Sequence, residues 1–283
     1  MKKQKIGFIG QGWIGKNYAD NFEDRGYQVI RYAKEPKYLK NKNKIKDCDI
    51  VFLAVPTPTC ENEFDISIVE QALSVVGDNK IAVIKSTILP GTTEKLQKKY
   101  PKKIILHSPE FLTEATARYD ADHPKRNIIG YVNEKGIVAA NKVMKVLPES
   151  PYKSVLPAKT AELVKYAGNC WFYLKVVYIN LVYDLAKKMD IDYELVKDAM
   201  SYDPRIGFTH LDPIHKTGRG AGGNCFIKDF AAFSQMYKEL NPKDKKGIDF
   251  LDQAQEKNIE LLFQSQKSIE LLKGVYGEDI VKK

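Results

Sequence analysis

The first half of the chain alternates short apolar runs with segments whose apolar residues recur every three or four positions. The runs at 5–9, 28–32, 49–55, 81–85, 103–107 and 127–132 read as strands. Helical spacing lies between them, from the first strand to about Arg25 and again at 66–76, 92–99 and 134–147. Apolar strands alternating with helices predict an α/β fold with a doubly wound parallel sheet. The second half has a helical period. Between 160 and 189, Ala161, Val164, Ala167, Trp171, Leu174, Tyr178, Leu181 and Leu185 follow one another at helical steps without a proline. Such a segment extends on the order of 45 Å. Further helices are expected at 193–200, after Cys225 and across 250–273, with a Gly-, Pro- and His-rich loop at 203–224. Two domains follow from this pattern, an α/β one at 1–156 and an all-helical one at 157–283.

The strand at 5–9 runs into Gly10-Gln-Gly12-Trp13-Ile14-Gly15 and then into a helix. Strand, G-x-G-x-x-G and helix in that order read as a dinucleotide-binding turn. The first glycine makes the tight turn, the second admits a pyrophosphate, and the third lets helix and strand pack closely. Ligands of such sheets bind at the carboxyl ends of strands, and polar motifs follow several of them. Val55-Pro-Thr57-Pro-Thr59 closes the third strand, and Ser86-Thr87 with Pro90-Gly91-Thr92 closes the fourth. Thr87 is expected where a hydroxyl reaches a nicotinamide ribose or a catalytic water; helix capping is its bland alternative.

Composition narrows the class of protein. At 283 residues, 43% hydrophobic and 29% charged, the chain matches a soluble globular protein with a sizeable core. No apolar run reaches the length of a membrane span, and the N-terminus has no signal-peptide layout. The four cysteines have neither metal-ligand spacing nor disulfide density, so no metal and a reducing cytoplasm are expected. The net charge of +9 comes from dispersed lysines and no nucleic-acid-binding motif accompanies it, which favours an anionic small substrate over nucleic acid.

Candidate chemistry is concentrated in three places. Cys225 is approached by Gly218, Gly220, Gly222 and Gly223 and followed by Lys228 and Asp229. Bare backbone lets a substrate come close, and a helix starting near Cys225 would favour the thiolate. A structural cysteine beside a flexible loop is the alternative. Glu110 and Glu114 would share one face of a helical turn, a like-charged pair suited to acid/base work. Lys165 and Asn169, also four apart, could donate together to a developing oxyanion; an exposed helix face is the alternative.

Taken together, GQGWIG, VPTPT, KSTILPGTT, SPEFLTEATARYD, HPKRNIIG, AELVKYAGN, DPRIG and GAGGNCFIKD occur in the order of, and resemble, the UDP-glucose/GDP-mannose dehydrogenase family. The resemblance implies an NAD-binding Rossmann domain at 1–156 and a helical dimerisation domain at 157–283 that forms a homodimer. It implies oxidation of the primary alcohol of a nucleotide sugar to a uronate in two NAD-dependent steps. Cys225 would form a thiohemiacetal and then a thioester. Glu110 would act as general acid/base, Thr87 would hold the water, Lys165 and Asn169 would stabilise the oxyanion, and Asp229 would partner the water. Gly10, Gly12, Trp13, Ile14, Gly15, Val55, Thr57, Ser86, Thr87 and Glu114 would contact the cofactor. Phe111, Leu112, Glu114, Gly220, Gly222 and Lys228 would join the substrate site, with Arg205 reaching the neighbouring subunit's substrate.

The chain also departs from that family. It ends where the family's third domain would begin, so the uridine-side surface is expected from a separate polypeptide, from a smaller or weakly held substrate, or not at all. The acidic residue expected after the second strand is Ala33, followed by Lys34, which would tolerate a 2′-phosphate and makes NADP use an expectation beside NAD. Ala221 and Ile227 replace an aromatic and a proline, and the segment 35–46 is short. Two other readings stay open: a two-electron dehydrogenase of the 6-phosphogluconate/3-hydroxyacid type, which needs no thiol, and a non-catalytic cofactor-binding or assembly homologue.

Overall fold

The runs IGFI, IVFL and IAVI carry no polar side chain, and each is buried along its whole length. A strand that is apolar on both faces must be covered on both. In the structure, a computed structural model that describes residues 3–60 and 63–282, these runs are the centre of a seven-stranded sheet. The chain order is β1 (Ile6–Ile9), α1 (Trp13–Asp24), β2 (Val29–Tyr32), α2 (Pro36–Leu39), α3 (Lys42–Ile45), β3 (Ile50–Leu53), β4 (Thr59–Cys60), β5 (Glu63–Phe64), α4 (Ser67–Val75), β6 (Ile81–Ile84), α5 (Thr92–Lys99), β7 (Ile104–His107), α6 (Ala117–Asp122), β8 (Arg126–Tyr131), α7 (Glu134–Met144) and β9 (Tyr152–Pro157). Then come α8 (Ala158–Lys188), α9 (Tyr193–Ser201), β10 (Ile214–His215), β11 (Gly218–Arg219), α10 (Gly223–Leu240), α11 (Lys245–Gln264) and α12 (Ile269–Tyr276).

The chain divides into two compact units, one of Met1–Pro58 with Asp65–Lys165, the other of Thr59–Phe64 with Tyr166–Lys283. In the first unit the strand order is β2-β1-β3-β6-β7-β8-β9. Neighbours from β2 to β7 are parallel, with Ile6 opposite Ile50 and Phe8 opposite Phe52. Phe8, Phe22 and Phe52 pack ring against ring at 5.0–5.6 Å, seating α1 on the sheet.

The expectation of an all-parallel sheet is corrected at one edge. β8 is antiparallel to β7 and parallel to β9, a strand that the apolar pattern missed. A parallel return needs a helix laid across the sheet. After β7 the chain forms only a single 3₁₀ turn (Glu114–Thr116) and the short α6, which packs beside α1. Asn21 and Arg118 both bond Asp122 there.

In the second unit, α8 and α9 match the expected helices within two residues. Of the apolar steps expected on α8, Ala161 is buried and the others are half-buried or exposed. Tyr166, Cys170, Tyr173, Val176 and Ile179 are buried, whereas Trp171 is 63% and Leu185 60% exposed. Tyr173 stacks on Phe230 of α10 with centroids 3.9 Å apart. The expected loop at 203–224 holds a two-residue hairpin, β10–β11, and gives way to α10 at Gly223.

The single helix expected across 250–273 is two helices. α11 stops at Gln264, and Gln266 and Ser268 take left-handed backbone (φ 52 and 58). Lys267 N–H donates to Leu262 C=O and Gln266 N–H to Phe263 C=O, the closing pattern of a left-handed helix terminus. Glycine ordinarily announces that terminus; here Gln and Ser occupy it, so the apolar period reads through.

Candidate functional site

In the first unit, the glycine turn is built as the three-glycine pattern requires. Gly10 has φ +91, and a Cβ there would lie 2.2 Å from Ala54 O. A Cβ on Gly15 would lie 2.0 Å from Gly10 O, so helix and turn touch backbone to backbone. Gly12, the N-cap of α1, has nothing within 4 Å of an added Cβ. That open side at a helix N-terminus is where a pyrophosphate fits. Trp13 is exposed beside it, and Ile14 packs on the core. Gly15→Ala is expected to lower stability by about 1–3 kcal/mol through overpacking and to weaken NAD binding at least tenfold. Thermal melting and a fluorescence titration with NAD check this; wild-type affinity in the variant would remove the turn from the cofactor site.

The turns after β3 and β6 are tied to one another. Val55 N–H donates to Ser86 Oγ (3.0 Å), Ser86 Oγ donates back to Val55 O (2.7 Å), and Thr57 Oγ1 donates to Thr87 O (2.8 Å). Thr57 and Ser86 are buried, and Thr87 is half-buried. Thr87 does not cap the next helix: Gly91 does, with φ 93. Glu162 of α8 satisfies that terminus, accepting from Gly91 N–H (2.6 Å), Thr93 N–H (2.8 Å) and Thr93 Oγ1 (2.6 Å). Gly130 of β8 lets the same turn of α8 come close, since a Cβ there would be 2.9 Å from Ala158 Cα.

Anchored in this way, α8 presents Lys165. Its Nζ donates to Glu110 Oε1 at 2.8 Å, and both side chains are buried (Lys165 6%, Glu110 4% exposed). Glu110 Oε2 accepts from Leu112 N–H at 2.8 Å. That local bond, directly after Pro109, is a turn and not a helix. The expected helical face shared by Glu110 and Glu114 is therefore not formed; Glu114 opens the 3₁₀ turn instead. The Phe111 ring carries the Arg126 guanidinium at 3.7 Å and lies 5.7 Å from Lys165 Nζ.

Three neighbours escaped the sequence reading. Lys85, buried at the end of β6, donates to Ser108 Oγ (3.3 Å) and sits 4.3 Å from the Tyr18 ring centroid. Burial pushes its amine down to about 8. His107 is also buried, and desolvation holds it down to about 3, hence neutral. Arg126 completes the set. A lysine closing an apolar strand, IAVIK, is the one signal that could have found Lys85.

In the second unit, Cys225 lies in the first turn of α10, three residues after its N-cap Gly222, and is exposed. Four residues on, Asp229 is 1% exposed. Asn169 Nδ2 donates to Asp229 Oδ2 at 2.6 Å, and Lys228 Nζ pairs with Asp229 Oδ1. Lys165 and Asn169, expected to act as a pair, thus each hold a different carboxylate. Cys170 is buried against Asp229 O, and desolvation raises its thiol pKa far above the usual range. Arg205 is exposed and chelates Asp203, with Nη2–Oδ2 at 2.6 Å. Gly220 and Gly223 have φ +83, while Gly222 is extended. Among the described residues no cluster of His, Cys, Asp and Glu could hold a metal ion, and no helix is long and apolar enough to cross a membrane.

Comparison with known proteins extends this picture. Residues 34–147 match the NAD binding domain, and 159–260 the central domain, of the UDP-glucose/GDP-mannose dehydrogenase family. The protein MJ1054 of Methanocaldococcus jannaschii is 33% identical, over 98% of this chain and 36% of its own length. The UDP-glucose 6-dehydrogenase TuaD of Bacillus subtilis is 31% identical, over 69% of this chain and 43% of its own. The chain thus spans less than half the length of these curated relatives. Among solved structures, a UDP-glucose dehydrogenase from Pyrobaculum islandicum superposes with a TM-score of 0.77 at 27% identity, covering 96% of this chain and 71% of its own.

Proposed function

This chain belongs to the UDP-glucose/GDP-mannose dehydrogenase family, and from that premise we propose that it oxidises the primary alcohol of a nucleotide sugar of the UDP-glucose type to the uronate. The observation that carries the reading is the exposed thiol in the first turn of α10 with a buried, doubly held carboxylate one helical turn behind it. A two-electron dehydrogenase has no use for that thiol.

NAD, held by Gly10, Gly12 and Gly15 with the turns at Val55, Thr57, Ser86 and Thr87, supplies the hydride acceptor for both oxidations. Glu114 belongs to the same proposed contacts. The chain's own residues do the rest. Cys225 Sγ adds to the aldehyde carbon, and the new alkoxide takes a proton to give the thiohemiacetal. Lys165 and Asn169 stabilise the oxyanion. After oxidation to the thioester, water adds to the acyl carbon. Glu110 takes its proton and the C–S bond breaks, which returns the thiolate. Asp229 orients the water, and Lys228 pairs with its other carboxylate oxygen. Phe111, Leu112, Gly220 and Gly222 line the sugar, and Arg205 reaches a second subunit's substrate. The exposed Trp171, Tyr178, Leu181 and Leu185 on α8 support a homodimer, because an apolar stripe of that length is usually covered.

An NADH-formation screen against a panel of sugar nucleotides tests the reading. Two NADH per product are expected; one per product would replace it with the two-electron alternative. NAD binding without reduction by any sugar nucleotide would favour an assembly role. Ala33 directly follows β2, and Lys34 follows it. NADP is therefore expected to have a KM within about tenfold of that for NAD. Ala33→Asp should raise the NADP value alone, and a strong NAD preference in the wild type would sink this expectation.

A further inference from the structure

The glycine run leading to Cys225 is gripped by one short segment of the second unit. Lys267 Nζ donates to Gly218 O and to Gly220 O, both at 2.9 Å. Ser265 Oγ accepts from Arg219 N–H at 2.9 Å, and Ser268 Oγ from Gly223 N–H at 3.2 Å. Asn258, one helix earlier, accepts from Ala221 N–H (2.6 Å) and donates to Ala221 O (3.1 Å). The junction between α11 and α12, where the chain turns left-handed at Gln266 and Ser268, thus binds the run along its length.

The same segment explains two of the glycines. A Cβ at Gly218 would lie 2.3 Å from Ser265 Cβ, and one at Gly222 would lie 2.8 Å from Ser268 Oγ and 2.9 Å from Lys267 Cε. These two glycines make room for the junction. Only Gly223, with nothing within 4 Å, leaves open space of the kind that the sequence reading assigned to all four. Lys267 is 8% exposed, and its ammonium donates to two carbonyl oxygens. Burying an ammonium is costly, and an apolar side chain of similar length would fill the same space at less cost. What the ammonium contributes is direction: it fixes two carbonyls, two residues apart, at one point.

We propose that the α11–α12 junction is a bracket that sets the backbone entering α10 and so seats the Cys225 thiol, with Lys267 as its positioning residue. The inference rests on the reading of Cys225 as the nucleophile. The backbone of 218–223 determines where the first turn of α10 begins. The N–H groups of that turn favour a thiolate only while the sulfur is held against them.

The experiment compares the full chain with Lys267→Met, Lys267→Arg and Ser268→Ala. Alkylation of Cys225 by iodoacetamide is followed by mass spectrometry of its peptide, beside the urea midpoint and NADH formation. Lys267→Met is expected to slow alkylation about tenfold and to lower kcat about ten- to a hundredfold with KM little changed. Lys267→Arg should recover most of both, and Ser268→Ala should slow alkylation about threefold. A folded Lys267→Met that alkylates at the wild-type rate overturns the bracket. If Lys267→Met does not fold, an unchanged rate in Ser268→Ala overturns it instead. Alkylation needs no sugar nucleotide, so a wild type that forms no NADH would refute the proposed activity while the rate ratios still decide the bracket.

Discussion

Cys225→Ser is expected to lower steady-state NADH formation at least about a thousandfold, the loss typical of removing an activated nucleophile. A thiol in the first turn of α10 is exposed and reaches its anion near neutral pH far more readily than a hydroxyl does. In the serine variant the first oxidation still has its alcohol, but the aldehyde meets a poor nucleophile. Single-turnover experiments should therefore show at most about one NADH per site, with product held at the aldehyde level. Intact-mass spectrometry of the quenched protein reads any adduct directly. A variant that keeps kcat within about tenfold of wild type would exclude a thioester and leave the two-electron dehydrogenase as the activity.

Lys165→Met should produce the largest loss of stability, about 3–5 kcal/mol, because it removes one member of a buried ion pair and leaves the other. Glu110 would keep the Leu112 N–H as its hydrogen-bond partner, and at 4% exposure bulk solvent compensates its charge little. The variant Lys165→Met/Glu110→Gln should recover most of that loss, since the neutral amide carries no unpaired charge. Urea midpoints of the two variants and the wild type check both statements. Equal midpoints for wild type and Lys165→Met would mean that Glu110 is hydrated in solution. Activity separates the two roles of the pair. The double variant is expected to be stable yet inactive, because both the proposed base and an oxyanion donor are gone.

The site was legible where chemistry is carried by consecutive residues. Gly10 takes a left-handed turn, Gly15 brings helix and turn backbone to backbone, and Gly12 leaves open space, the geometry that the motif order implies. The helix at α10 begins two residues before Cys225, close to where the glycines stop. Pairings were less legible. Lys165 and Asn169 are one turn apart on α8, which made a joint role the natural expectation, yet their partners Glu110 and Asp229 come from different parts of the chain. Glu110 and Glu114 have helical spacing without a helix, because Glu110 closes its own turn onto Leu112. Lys85 is marked in sequence only by closing an apolar strand, and Lys267 looks like one more among many lysines until burial sets it apart.

Periodicity, glycine placement and motif order are local properties, and from them follow the strands β1, β2, β3, β6 and β7, the long helix α8, the cofactor turn and the family. Those features depend on neighbours in sequence, so a single chain read alone contains them. The left-handed break between α11 and α12 is closed by local bonds that no glycine announces, whereas the antiparallel entry of β8, the outward turn of Trp171 and Leu185, and the grip of Lys267 on the glycine run depend on contacts between residues tens of positions apart. Their free energy comes from excluded water, shared hydrogen bonds and steric fit, which exist only once the chain is packed.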